Sequence, residues 1–185
     1  MSKKEIQKQR CLEQLTQHVL TTGLSQTSLR QLAAAAKVSD RMLLYYFKNK
    51  SDVMTQTLVS AAGVMAKELN DILREEEKLS VQELMRKGLE ITQSEAMQPY
   101  MSLSLQIAAK AHQREEPFLS SAKLIISGFI LWIEARLETI DPVKRRREAI
   151  LILALIDGLA VLSAGLNQSE ISEFTRSLPE LSITD

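Results

Sequence analysis

Between Ser28 and Ala36 the apolar positions Leu29, Leu32, Ala33 and Ala36 recur three and four residues apart, which lays one apolar stripe along a short helix. Lys37 and Val38 follow. Ser39 is then placed to accept a hydrogen bond from a free amide of the next turn, so it predicts the N-cap of a second helix from Asp40 to Phe47. In that helix Leu43 and Phe47 fall on the inward side, while Asp40, Arg41, Met42 and Tyr45 or Tyr46 are left for another surface. Two short helices around a tight corner have the shape of a helix-turn-helix, and the free edge of the second is the candidate reading head.

Further along, punctuation predicts an almost wholly helical body. A helix is expected from about Ser51 to Glu77, starting at a serine cap and ending in an acidic run. The next should span about Val81 to Met97 behind Ser80 and stop before Pro99, and a shorter one should reach Gln113. Beyond the break at Glu116-Pro117, helices are expected over Phe118 to Ile140, Val143 to Leu166 and about Glu170 to Leu178. Only four prolines and six glycines interrupt the chain, and no internal repeat or flexible linker is present, which indicates an all-α fold.

The run Ala149 to Leu166 is apolar on every face apart from Asp157 and Ser163, so it must be covered all round. Membrane insertion is one way to cover it, since the run is near the lower length limit of a span and Lys144 to Arg147 form a positive flank. Asp157 in mid-run costs that arrangement about 3 kcal/mol and no second span exists, so no membrane is expected. The other way is burial against a symmetric partner, with Ala154, Gly158 and Gly165 allowing close approach of backbones. Ile150, Ala154, Asp157, Gly158, Val161 and Gly165 are the candidate dimer residues.

Charge sharpens the picture of the amino-terminal part. Residues 1–50 hold nine Lys or Arg against three Asp or Glu, net +6, whereas residues 51–185 hold fourteen against twenty, net −6. A basic head suits a polyanion, because backbone affinity for DNA comes from neutralising phosphates; the plainer alternative is that Lys3, Lys4, Lys8 and Arg10 form a solvated helix face. Cys11 is the sole cysteine, falls within the first helix and is expected in its core. The start MSKKEIQKQR lacks the apolar run of a secretion signal, so a cytoplasmic location is expected. Two histidines, one cysteine and no glycine-rich phosphate loop leave no catalytic constellation and no metal or cofactor site, so no enzyme is expected.

From roughly Arg10 to Val53 the residues resemble the TetR family of transcriptional regulators. The likeness rests on Gly23-Leu24 closing the first helix, Thr27-Ser28 opening the second, Leu32-Ala33 with Ala36, Val38-Ser39, Leu43, Tyr46-Phe47 and the Asn49-Lys50 pair at the start of the fourth. The resemblance implies a three-helix DNA-binding domain over residues 1–50, a helical effector-binding and dimerisation domain over 51–185, and a homodimer that represses transcription from a palindromic operator until a small molecule binds. By position it implies phosphate contacts from Thr27, Lys50 and Tyr46, with Ser28 and Ser39 at neighbouring helix starts, and base contacts from Asp40, Arg41, Met42 and Tyr45. Arg41 can fork onto guanine O6 and N7, and Asp40 can accept from a cytosine amino group. The chain departs from the family pattern at Lys37, where a turn glycine is usual and positive φ is expected, at Met42, and at Leu44, which removes a tyrosine contact.

Five of the seven methionines lie between Met54 and Met101, with aromatic residues around them. Thioethers adapt to varied ligand shapes, so Met65, Met97, Tyr100, Met101, Phe129 and Trp132 are candidates for an apolar effector pocket, with His112 and Asp157 as polar anchors; ordinary core packing is the competing reading for each. A competing reading of the whole chain is a dimeric helical interaction module without sequence-specific DNA binding.

Overall fold

The computed structural model describes residues 2–177, and among them nine helices follow in order: α1 (Lys3–Thr22), α2 (Leu29–Ala35), α3 (Asp40–Tyr46), α4 (Lys50–Ile72), α5 (Val81–Thr92), α6 (Gln98–His112), α7 (Phe118–Glu134), α8 (Pro142–Leu162) and α9 (Gln168–Ser177). They divide into two compact units, one made of residues up to 67 with 102–126, the other of 68–101 with those from 127 onward.

In the first unit the helix starts are chemically marked. Ser2 caps α1 in a reciprocal box with Glu5, Ser28 caps α2 in the same way with Gln31, and the Ser39 hydroxyl accepts from Met42 N at the start of α3. The corner between α2 and α3 is a Schellman motif: Val38 N–H donates to Ala33 O and Lys37 N–H to Ala34 O, both at 3.0 Å. Lys37 sits there at φ 55°, the left-handed region that favours glycine, as its place in the turn predicted. Beneath these helices lies one apolar cluster. Cys11, Leu15 and Val19 from α1, Leu32, Ala33 and Ala36 from the α2 turn, and Leu43 and Phe47 meet Val53, Met54, Leu58 and Ala61 of α4, Leu103 and Ile107 of α6, and Phe118 and Ala122 of α7.

The second unit is organised by α5 and α8. Leu84, Met85 and Leu89 of α5 are buried with Ala149, Ile152 and Leu159 of α8, and the space beside Gly88 is filled by the Ile156 side chain, 3.0 Å from where a Cβ would stand. Arg136 ties the helix ends together. It is 2% exposed; its Nε donates to Leu73 O at 2.9 Å, Nη1 to Trp132 O at 2.8 Å and Nη2 to Asn70 Oδ1 at 2.5 Å, while the guanidinium stacks 3.7 Å from the Trp132 ring centroid.

Several helix ends differ from those expected. α4 starts one residue earlier with Asn49 Oδ1 accepting from Asp52 N, and it stops at Ile72, because Glu75 to Glu77 would crowd the negative end of the helix dipole. α5 ends at Thr92, whose hydroxyl donates back to Gly88 O, and the α6 helix begins at Gln98 with Pro99 in its first turn, where a missing N–H costs nothing. α7 ends at Glu134 because Leu137 pairs with Leu79 in an isolated parallel bridge, with Leu79 N–H donating to Arg136 O and Glu138 N–H to Leu79 O. α8 stops at Leu162 and α9 spans Gln168–Ser177; Leu178, the expected end, lies outside the described residues.

Two outcomes test this packing. A fragment ending at residue 50 lacks eight of the seventeen buried residues of the first cluster, so it is expected to melt without a cooperative transition by circular dichroism, unlike the full chain. Lys37→Gly should stabilise the chain by about 0.5–1 kcal/mol, the relief of left-handed strain exceeding the entropy of the more flexible unfolded chain; a lower melting temperature would contradict it.

Candidate nucleic-acid interface and effector region

α3 has only seven residues, and its orientation is set by what it buries: Leu43 is 0% exposed and Phe47, just past its end, 2%. Its opposite face is then forced outward. Asp40, Arg41, Met42, Leu44 and Tyr45 are all exposed, Tyr45 at 58%. Tyr46 is half-buried against the apolar cluster and meets the Tyr45 ring edge-on, centroids 5.5 Å apart.

α1 supplies charge to this face. Lys4 Nζ lies 4.2 Å from the Tyr45 ring centroid and Lys8 Nζ 5.1 Å from that of Phe47, so these two lysines, one helical turn apart, stand beside α3. Their joint position was missed in the sequence, where the four-residue spacing of Lys4 and Lys8 marked a common face without saying what it met. Lys50 is exposed at the first position of α4. Nearby, burial alone would lift the Asp52 carboxyl, but the Gln56 amide, the Lys48 N–H and the charges of Lys8 and Lys48 outweigh it and hold the group below the usual carboxylate range.

The hydroxyls expected near phosphates have structural partners. Thr27 Oγ1 donates to Leu24 O at 3.2 Å, Ser28 Oγ accepts from Gln31 N at 3.3 Å, and Ser39 Oγ accepts from Met42 N at 3.2 Å. The arrangement therefore brings Arg41, Met42, Leu44 and Tyr45 together with Lys4 on one open surface, while Thr27, Ser28 and Ser39 fix the helix starts around it.

Of the candidate effector residues, Met97 and Met101 are buried in the second unit, where Tyr100, Phe129 and Trp132 are half-buried. Tyr100 donates its hydroxyl to Glu68 at 2.8 Å; burial, that bond and the Glu68 charge push its pKa up to about 12. Trp132 Nε1 donates to Asn70 Oδ1 at 2.6 Å. Met65 and His112 fall in the first unit, Met65 half-buried and His112 exposed at the end of α6. An open depression of about 810 Å³ in the second unit is lined by Asn70, Arg74, Glu75, Glu76, Glu77 and Arg136, none of them in the expected set.

Five of the expected dimer residues share one uncovered side of α8, and the sixth, Gly165, lies just beyond its end at Leu162. Ile150, Ala154, Asp157, Gly158, Val161 and Gly165 are exposed, as is Leu162, while Ala149, Ile152 and Leu159 face the unit's own core. Among the described residues, and apart from the helix's own adjoining backbone, no atom lies within 4 Å of the place a Cβ would take on Gly158. Asp157 opens to solvent at its edge, yet the surrounding chain desolvates its carboxyl and raises the pKa. Among the described residues no helix is long and apolar enough to cross a membrane, and no group of three or more His, Cys, Asp or Glu is placed to hold a metal ion.

Residues 20–57 match the profile of the bacterial regulatory proteins of the tetR family. No curated protein sequence matches the chain. Among solved structures, a TetR-family transcriptional regulator from Cytophaga hutchinsonii superposes with a TM-score of 0.74 at 15% identity, covering 100% of this chain and 99% of that one. The multidrug binding protein EbrR, complexed with proflavin, gives 0.63 at 22% identity over 93% of this chain and 99% of its own. The transcriptional regulator FadR from Bacillus subtilis, in complex with stearoyl-CoA, gives 0.59 at 17% identity over 94% and 96%. The helix-turn-helix segment over α2, α3 and their flanks thus matches the tetR-family profile, and the chain as a whole shares the all-helical fold of these regulators.

Proposed function

We propose that this protein is a ligand-responsive transcriptional repressor that binds a palindromic operator as a homodimer and leaves it when a small, largely apolar effector binds. Residues 1–50 act as the DNA-binding head and 51–185 as the effector-binding and dimerisation domain. The head draws part of its core from beyond residue 50, so this boundary is one of function and not of packing. The observation that carries the reading is the exposed face of α3, with Arg41 and Tyr45 on it and Lys4 beside it, in a segment of net charge +6.

In the major groove Arg41 would read guanine through O6 and N7, Asp40 would accept from a cytosine amino group, and Met42 and Leu44 offer apolar contact to thymine methyls. Tyr45 and Tyr46 border the bases. Lys4, Lys48 and Lys50 neutralise phosphates, and the hydroxyls of Thr27, Ser28 and Ser39 lie at the helix starts that face the backbone. A single head of this size reads too few bases to be specific, so two copies in successive grooves are required.

The uncovered side of α8 supports the second copy. An interior helical glycine costs about 1 kcal/mol relative to alanine, and among the described residues nothing stands within 4 Å of where a Cβ on Gly158 would lie. A symmetric partner would use it, and would cover Ile150, Val161 and Leu162 as well. The bound molecules of EbrR and FadR, proflavin and stearoyl-CoA, support an effector with a large apolar or aromatic part. Met97, Tyr100, Met101, Phe129 and Trp132 are the second-unit residues proposed to hold it. Effector and operator must oppose each other by the same factor, because the coupling free energy between two sites is reciprocal.

Selection of bound duplexes from a random pool should enrich an imperfect palindrome, with affinity falling steeply as salt rises. Arg41→Ala should cost about 1–3 kcal/mol on the enriched duplex and relax one base position, whereas Lys50→Ala should weaken all sequences alike; failure of the wild-type chain to enrich any sequence would overturn the reading. Gly158→Leu is expected to keep or slightly raise the melting temperature of the isolated protomer and to weaken its self-association at least about tenfold by sedimentation, since among the described residues a Cβ there has open space around it.

A further inference from the structure

The corner between α1 and α2 is held by a residue from far outside the helix-turn-helix. Gln106, in the middle of α6, accepts a hydrogen bond at its Oε1 from Leu24 N–H at 2.8 Å, across 82 residues of sequence and within the first unit. Its Nε2 donates to Ser102 O one turn back on α6 at 3.4 Å, which sets the amide with its oxygen toward the corner. The preceding Gly23 is shaped to receive it. Gly23 lies at φ 63°, and a Cβ there would stand 2.5 Å from Oε1 and 2.6 Å from Nε2, so only glycine both adopts this backbone and leaves room for the amide. The other peptide group of Leu24 is engaged as well, its carbonyl accepting from Thr27 Oγ1 at 3.2 Å, and its side chain is buried in the head's cluster.

From Gly23 the chain runs directly into Ser28, the cap of α2. We infer that Gln106 is a positioning residue for DNA binding: by accepting from Leu24 it sets the α1–α2 corner, and through that corner the placement of α2 and α3 against the duplex. Nothing in the spacing of the helix-turn-helix residues requires a partner on α6. The inference rests on the DNA-binding reading above. It assigns Gln106 no contact with DNA, so its loss should lower affinity without changing how many phosphates are neutralised.

The test uses the full chain and the duplex enriched by the wild-type protein. Gln106→Met keeps the length of the side chain and removes the acceptor; Gln106→Glu keeps an acceptor oxygen. Gln106→Met is expected to speed hydrogen exchange of the Leu24 amide and to raise Kd about three- to tenfold, with helicity, self-association and salt slope unchanged, while Gln106→Glu stays near wild type on both measures. Should Gln106→Met not fold, Gln106→Asn, one methylene too short to reach Leu24, takes its place. A folded Met or Asn variant that binds the duplex with the wild-type Kd would overturn the inference and leave the DNA-binding reading intact. If the wild-type chain enriches no duplex, the DNA-binding reading itself falls, and this assignment with it.

Discussion

A seven-residue helix is too short to be stable alone in water, since nucleation is costly and each further residue adds only one hydrogen bond. α3 therefore exists because Leu43 and Phe47 are buried in a cluster that other helices complete. That single burial decides which face of α3 is open. With those two side chains fixed inward, the helical repeat points Arg41, Leu44 and Tyr45 to solvent, and no separate device is needed to present them. The Ser39 cap and the Schellman turn at Lys37 then fix where α3 starts and how sharply the chain bends into it. The same dependence explains why the cluster reaches into α4, α6 and α7: α1 and two seven-residue helices bury too little among themselves.

The second unit meets a different constraint. Its helices end abruptly, and the carbonyls released at those ends need donors. Arg136 meets part of that need by donating to the carbonyls of Leu73 and Trp132, and a third bond to Asn70 Oδ1 and the Trp132 ring take up the rest of its charge. Burial pulls the pKa of Arg136 down, and the carboxylates of Glu75 and Glu76 oppose that pull. Breaking such a group from its partners leaves a desolvated cation, so the residues around it are held as a set. In the same unit α8 is covered on one side only, which leaves Ile150, Val161 and Leu162 in water for a lone chain. The hydrophobic cost of that exposure and the unused room at Gly158 are two expressions of one arrangement.

Helix starts were legible because they are written in local chemistry. Ser39 and Ser80 cap their helices as expected, since a hydroxyl reaches an amide only two or three residues on, whereas Asn49 stands at the start of α4 where Ser51 was expected to cap it. The positive φ of Lys37 and the inward turn of Leu43 and Phe47 are local in the same sense. Helix ends were read less well. The stop at Glu134 goes with the pairing of Leu79 and Leu137, and the carbonyl of Leu73, just past the end of α4, is met by Arg136; both join residues nearly sixty positions or more apart.

The amino-acid sequence by itself determined the all-helical class, the helix-turn-helix and which side of α3 faces out, because periodicity and capping act over three or four residues. Tertiary structure alone decided that Lys4 lies against Tyr45, that Trp132 is engaged by Asn70 and Arg136, and that Gln106 reaches the α1–α2 corner. These are contacts between side chains brought together by burial of other residues, and no local pattern encodes a partner that only the packed core brings within reach.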